Sequence, residues 1–197
     1  ISTCDSRIVA MTSANPSEGK SVTIANLAVA VAQTDKKVLL IDADMRKPVQ
    51  HKCFRLSNKV GLSDVITGDK PLDKALNRNV TGSLDVLTSG TIPPNPSELL
   101  ASRQMKELLE TLKEQYDMIL IDCAPINVVS DVAGLSQEIA GVVMVVHYGF
   151  TTYPELDDAV NRLALANCNV LGFAVNEVSS KHGSGYYSNY KYKYKYK

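Results

Sequence analysis

Short apolar runs alternate with stretches of helical periodicity along these 197 residues. Residues 37–43 (KVLLIDA) are continuously apolar up to their acid, the mark of a strand buried on both faces. Residues 118–122 (MILID) and 141–147 (GVVMVVH) repeat the pattern, and residues 7–13 (RIVAMTS) read as a further strand. Residues 84–87 offer a shorter strand and residues 170–175 the last one. Between them, residues 20–34 predict an alanine-rich helix with Leu27 and Val31 on one face. Residues 97–115 predict one long helix, capped by Ser97 after Pro96, with Leu99, Leu100, Leu108, Leu109 and Leu112 as its apolar positions. Residues 154–166 predict another helix.

Strands alternating with helices imply an α/β fold, a mostly parallel sheet with helices on both faces. Three strands stay apolar until a charged or titratable residue at the carboxyl end: Asp42, Asp122 and His147. Ligands of open parallel sheets bind beyond the carboxyl ends of the strands, so these groups fall where a site belongs.

Composition narrows the picture. Lys plus Arg and Asp plus Glu both number 21, so net charge gives no reason to expect nucleic acid or a membrane surface as partner. A chain of this size forms one domain and buries roughly 70% of its unfolded surface, with no need of metal or disulfide. The cysteines, Cys4, Cys53, Cys123 and Cys168, are scattered, with no CxxC pair and no histidine at ligand spacing, which points to a reducing compartment. No apolar run of about 18 residues is present. The first residue is Ile1, so a piece of a longer protein is expected, and any membrane segment of that protein would escape this reading.

Residues 1–178 read as the folded domain and residues 179–197 as a flexible tail. Six of the nine tyrosines lie in the last twelve residues: Tyr186, Tyr187, Tyr190, Tyr192, Tyr194 and Tyr196. Four lysines and no acid accompany them after His182. Phosphorylating all six would add about −9 to −12 charges and reverse the sign of the tail. A merely solubilising tail is the alternative.

Three motifs carry chemistry. Ala14, Asn15, Pro16, Ser17, Glu18, Gly19, Lys20 and Ser21 follow the GxxxxGK[ST] pattern with Ala14 in place of the first glycine. The segment lies between a strand and a helix, where backbone N–H groups and the helix N-terminus can cradle phosphates. Lys20 would charge-pair the β and γ phosphates, and Ser21 would ligate Mg²⁺. The second motif sets Asp42 and Asp44 two apart after four apolar residues, with Arg46 beyond. Two such carboxylates repel unless a cation joins them; a solvated turn is the alternative. The third is the strand ending in Asp122, an acid able to hold Mg²⁺ directly or through water, or simply to cap the next turn.

Taken in this order, with the tyrosine-rich terminus and Pro93, Pro94, Asn95, Pro96, Ser97, Glu98, Leu99 and Leu100, these motifs resemble the bacterial tyrosine kinases (BY-kinases) of capsule and exopolysaccharide synthesis. The resemblance runs from Arg7 to the tail. It implies a P-loop NTPase fold, Mg-ATP as cofactor and substrate, and autophosphorylation of the tail tyrosines in trans. It implies ATP contacts from Asn15, Ser17, Glu18, Gly19, Lys20, Ser21 and Val22, and metal ligation by Ser21, Asp44 and Asp122. Lys20, Asp42, Asp44 and Asp122 would be the catalytic set, with Asp42 as base or orienting group for the tyrosine hydroxyl. Asn176 would read the adenine, unless it only bonds its own loop. The partners implied are other copies of the chain in a ring and a membrane-embedded activator, at the cytoplasmic face of the plasma membrane.

Departures from the family pattern are Ser17 at a usual glycine, expected to tighten the loop, and Cys123 and Ala124 after Asp122, to which no role is given. The Glu-Arg-Arg helix that supports ring assembly in relatives does not occur in this sequence, so weakened ring assembly is expected. The three internal tyrosines, Tyr116, Tyr148 and Tyr153, are expected to stay largely unmodified, Tyr116 and Tyr148 because buried strands hold them back. A Min/Par-type partition ATPase is the nearest rival, disfavoured by Asn15 at that class's signature lysine. A non-catalytic nucleotide-binding scaffold is the other, disfavoured by Lys20, Asp42 and Asp122.

Overall fold

The computed structural model describes residues 7–178, and the six tail tyrosines therefore lie outside the described residues. The strands are β1 (Ile8–Ser13), β2 (Val38–Asp42), β3 (Leu76–Thr81), β4 (Leu84–Leu87), β5 (Met118–Asp122), β6 (Gly141–His147) and β7 (Val170–Asn176). They form one sheet in the order β3-β4-β2-β5-β1-β6-β7, parallel throughout except for β3 against β4. The expected P-loop α/β architecture is what the chain adopts. The central strands β2 and β5 are continuous apolar runs ending in an acid and are buried along nearly their whole length. Their register pairs Asp42 with Asp122, which sets two carboxylates side by side at the carboxyl edge.

One face of the sheet is covered by α1 (Lys20–Ala32). Its buried face is Ile24, Ala25, Ala28 and Ala32, against Met11, Leu40, Leu120 and Val145. Leu27 and Val31, expected to lead that face, are only partly buried at its flank. Small alanines let the helix sit close to the sheet, and the longer side chains fill the edge. The other face is covered by α5 (Pro96–Leu100), α6 (Arg103–Lys113) and α7 (Tyr153–Leu165), with Leu100, Leu109, Leu112 and Leu163 in the core.

The single helix expected over residues 97–115 is two. Ser102 leaves the helical conformation at ψ 156°, and its Oγ accepts from the Met105 N–H at 3.2 Å, starting α6 anew. A serine favours such a cap over a helix interior because its hydroxyl replaces a backbone acceptor. Ser97 is not the cap of α5, since Asn95 stands there. The Ser97 hydroxyl donates instead to Asp131 at 2.5 Å and accepts from Arg46 at 3.1 Å.

Short helices α2 (Gln50–Cys53), α3 (Leu62–Ile66) and α4 (Leu72–Ala75), and a 3₁₀ turn at Asp131–Leu135, complete the described elements. Tyr116 precedes β5 and is buried, its hydroxyl donating to Asp85 at 2.6 Å. Tyr148 and Tyr153 are 55% and 86% exposed, so burial withholds Tyr116 but not Tyr148, contrary to expectation. Among the described residues, no helix is long and apolar enough to cross a membrane.

Candidate nucleotide and metal site

The loop joining β1 to α1 turns on two left-handed residues, Ser17 (φ 67°) and Gly19 (φ 86°). Ser17, at a position where resemblance gives glycine, therefore carries backbone strain. A Cβ at Gly19 would strain the left-handed backbone and lie 2.0 Å from Asn176 Nδ2, displacing that amide. Between them Glu18 turns inward and is fully buried. Its carboxylate accepts from the Ala14 N–H at 3.0 Å and from Thr151 Oγ1 at 2.8 Å. Glu18 can thus meet a phosphate only through its backbone. Asn176 comes in from the end of β7 and donates to the Glu18 carbonyl at 3.2 Å, so its amide is engaged with the loop itself. Asn15 is half-buried beside the loop, its carbonyl accepting from Ser13 Oγ at 2.8 Å, and Val22 is exposed on the first turn of α1.

Behind the loop lies a buried ionic cluster. Lys20 Nζ contacts Asp44 Oδ2 at 3.2 Å, Asp122 Oδ1 at 3.1 Å and Ser21 Oγ at 3.1 Å. Burial opposes the lysine's charge, but the Asp122 and Asp44 carboxylates and their hydrogen bonds outweigh it and raise its pKa. Asp44 also accepts from the Lys47 N–H at 3.0 Å. Asp42, fully buried, accepts at Oδ2 from the Val49 and Gln50 N–H groups at 3.0 and 2.9 Å. Burial, and then the neighbouring Asp122, push its pKa up to about 7; the two N–H donors offset only part of this. The structure therefore brings Lys20, Ser21, Asp42, Asp44 and Asp122 together, although they come from three separate segments.

A cavity of about 390 Å³ opens on this cluster. One side is the loop with Lys20, Ser21 and Val22; the other is Asp44, Arg46, Lys47 and Val49, with an apolar wall of Ala124, Pro125, Val128 and Val129. Its chemistry suits a phosphate with a hard divalent cation. Two carboxylates and a hydroxyl are the protein share that Mg²⁺ takes when phosphates and waters supply the rest. Among the described residues no group of three or more His, Cys, Asp or Glu side chains is arranged to hold a metal alone. Asp42 Oδ1 and Gln50 Oε1 are buried without a hydrogen-bond partner among the described residues, next to the Lys20, Asp44 and Asp122 cluster.

Some of these participants carried no signal in the sequence. Gln50 and Thr151 are single polar residues outside any motif, and only the fold brings them to Asp122 and Glu18. Arg46 lay inside a motif without a role; it is pinned to buried Asp131 at 3.3 Å.

The sequence profile of the AAA domain matches residues 6–152. Tyrosine-protein kinase YwqD of Bacillus subtilis (strain 168) is 46% identical over 181 residues, covering 91% of this chain and 76% of that protein. Tyrosine-protein kinase etk of Escherichia coli (strain K12) is 36% identical over 182 residues, covering 92% of this chain but only 25% of that protein. The solved structure of the kinase domain of Escherichia coli tyrosine kinase ETK superposes with a TM-score of 0.86 at 36% identity, over 92% of this chain and 71% of that chain.

Proposed function

The chain belongs to the bacterial tyrosine-protein kinases and carries an AAA domain, and from that membership we propose that it transfers the γ-phosphoryl group of Mg-ATP to tyrosine hydroxyls. The acceptors are the tail residues Tyr186, Tyr187, Tyr190, Tyr192, Tyr194 and Tyr196 of a neighbouring copy. The observation that carries this reading is the Lys20 cation lodged between the buried Asp44 and Asp122 carboxylates beneath the loop.

Bound Mg-ATP supplies the transferable phosphoryl group and a divalent charge. With Mg-ATP bound, Lys20 would pair with the β and γ phosphates in place of the carboxylates it contacts here. Asp44, Asp122 and the Ser21 hydroxyl would then hold the cation. Backbone N–H groups from Asn15 to Val22 and the N-terminus of α1 receive the phosphates. Asp42, with a pKa of about 7 and Oδ1 unpaired among the described residues, suits the task of accepting or orienting the tyrosine proton near neutral pH. The apolar wall of Pro125, Val128 and Val129 offers a phenol ring a surface that serine or threonine would not use. Asn176 remains our candidate for the adenine, through the part of its amide that the Glu18 carbonyl does not engage.

Residues 179–197 act as a tether that gives each tyrosine a high local concentration at a partner's site. The partners are copies of the chain and a membrane-embedded activator. The process served is capsule or exopolysaccharide synthesis at the cytoplasmic face of the membrane. The test is to incubate the purified protein with Mg-ATP and map phosphotyrosine by mass spectrometry. Nucleotide hydrolysis with no phosphotyrosine anywhere would sink the proposal.

A further inference from the structure

Gln50 opens α2 and is fully buried. Its backbone N–H donates to Asp42 Oδ2 at 2.9 Å. Its side-chain Nε2 donates to Asp122 Oδ2 at 2.7 Å and to the Ser21 carbonyl at 3.0 Å. One residue thus ties together the ends of β2 and β5 and the first turn of α1.

The two oxygens of Asp122 are divided by this arrangement. Oδ2 is given to the Gln50 amide, and Oδ1 is left facing Lys20 Nζ, where Ser21 Oγ and Asp44 Oδ2 also converge. An aspartate free to turn about its last torsion would present either oxygen, or both, to a cation. An amide donor fixes the choice without cancelling the carboxylate's charge. A lysine at this position would compete with the cation, and an apolar residue would leave Oδ2 buried and unpaired. Holding a ligating carboxylate by an outer hydrogen bond is a general means of setting its geometry. The cost is visible in Gln50 Oε1, buried without a partner.

On the nucleotide reading above, the geometry points to Gln50 as the positioning residue of the divalent-cation site, holding Asp122 so that Oδ1 alone is offered to Mg²⁺ beside Ser21 and Asp44.

Gln50→Met keeps the length of the side chain and removes the amide; Gln50→Leu serves as a second apolar variant should the first fold poorly. A fluorescent nonhydrolysable ATP analogue is titrated into wild type and variants, in EDTA and across a Mg²⁺ series, and kcat and KM are measured on a tyrosine peptide. The expected result is metal-free nucleotide affinity within about twofold of wild type, a Mg²⁺ requirement raised about 10–100-fold, and a fall in kcat with peptide KM unchanged. An unchanged Mg²⁺ requirement in a folded variant would overturn the assignment. So would an equal loss of affinity with and without Mg²⁺, which would make Gln50 a brace between α1 and α2 and nothing more. A wild-type protein whose nucleotide binding ignores Mg²⁺ would overturn the nucleotide reading itself, and this inference with it.

Discussion

Asp42→Asn probes the most perturbed acid of the site. In the folded chain its pKa is raised from 3.8 to about 7, first by burial and then by Asp122. A carboxyl whose folded pKa is raised stabilises the fold fully below its unfolded value and loses that contribution as pH rises through the folded one. Between those two values the native state holds a proton that the unfolded chain has shed, which costs close to 1.4 kcal/mol for each pH unit. From about pH 5 to about pH 7 the loss sums to roughly 2 kcal/mol. Asparagine does not titrate, so the variant lacks this slope. Any fixed cost of an unpaired buried amide, about 1–3 kcal/mol, shifts its curve without changing its pH dependence. The assay is urea unfolding at a series of pH values, in EDTA and without nucleotide. Wild-type stability should fall by roughly 2 kcal/mol relative to Asp42→Asn across that range. Parallel profiles would show that Asp42 ionises like an exposed acid, and its assignment as a base poised near neutrality would fall.

Lys20→Met should abolish phosphotyrosine formation and weaken nucleotide binding, and by leaving Asp44 and Asp122 without their cation it should also lower the melting temperature of the metal-free protein; phosphotyrosine blotting, nucleotide titration and calorimetry read these in turn. Replacing the six tail tyrosines with Phe should remove nearly all phosphotyrosine while nucleotide affinity stays unchanged. Because Tyr148 and Tyr153 are exposed, persistent modification at wild-type stoichiometry would locate the acceptors there instead, which peptide mapping decides. Ser17→Gly relieves a left-handed backbone at the expense of greater freedom in the unfolded chain, and should leave the protein as stable or up to about 1 kcal/mol more so by urea midpoint. A loss of stability would mean that the serine side chain, not its backbone, matters in the loop.

The sheet was legible because its central strands are runs of consecutive apolar residues, a pattern that neighbours cannot easily override. β3 (LNRNVT) was not, since an edge strand buried on few sides carries asparagine and arginine where an inner strand would carry valine. The break between α5 and α6 was hidden because leucine spacing continues through it, and only the Ser102 hydroxyl reveals the new start. In the site, Lys20, Ser21, Asp42, Asp44 and Asp122 could be gathered in advance, since the strand–loop–helix context and two acidic strand ends fix where such groups fall. Gln50, Thr151 and Asp131 act through long-range hydrogen bonds that leave no local pattern.

The phosphate loop has a further property in the order of synthesis. Its residues precede their long-range partners by far: Glu18 is held by Thr151, 133 positions later, and its carbonyl by Asn176, 158 positions later. A nascent chain emerging from the ribosome thus displays the motif long before it owns the shape. Until β6 and β7 have docked, the buried Glu18 has lost one of its two donors and Gly19 faces no amide. On the nucleotide reading, the loop takes its full shape only once β6 and β7 are in place, and nucleotide affinity would then report on closure of the described sheet.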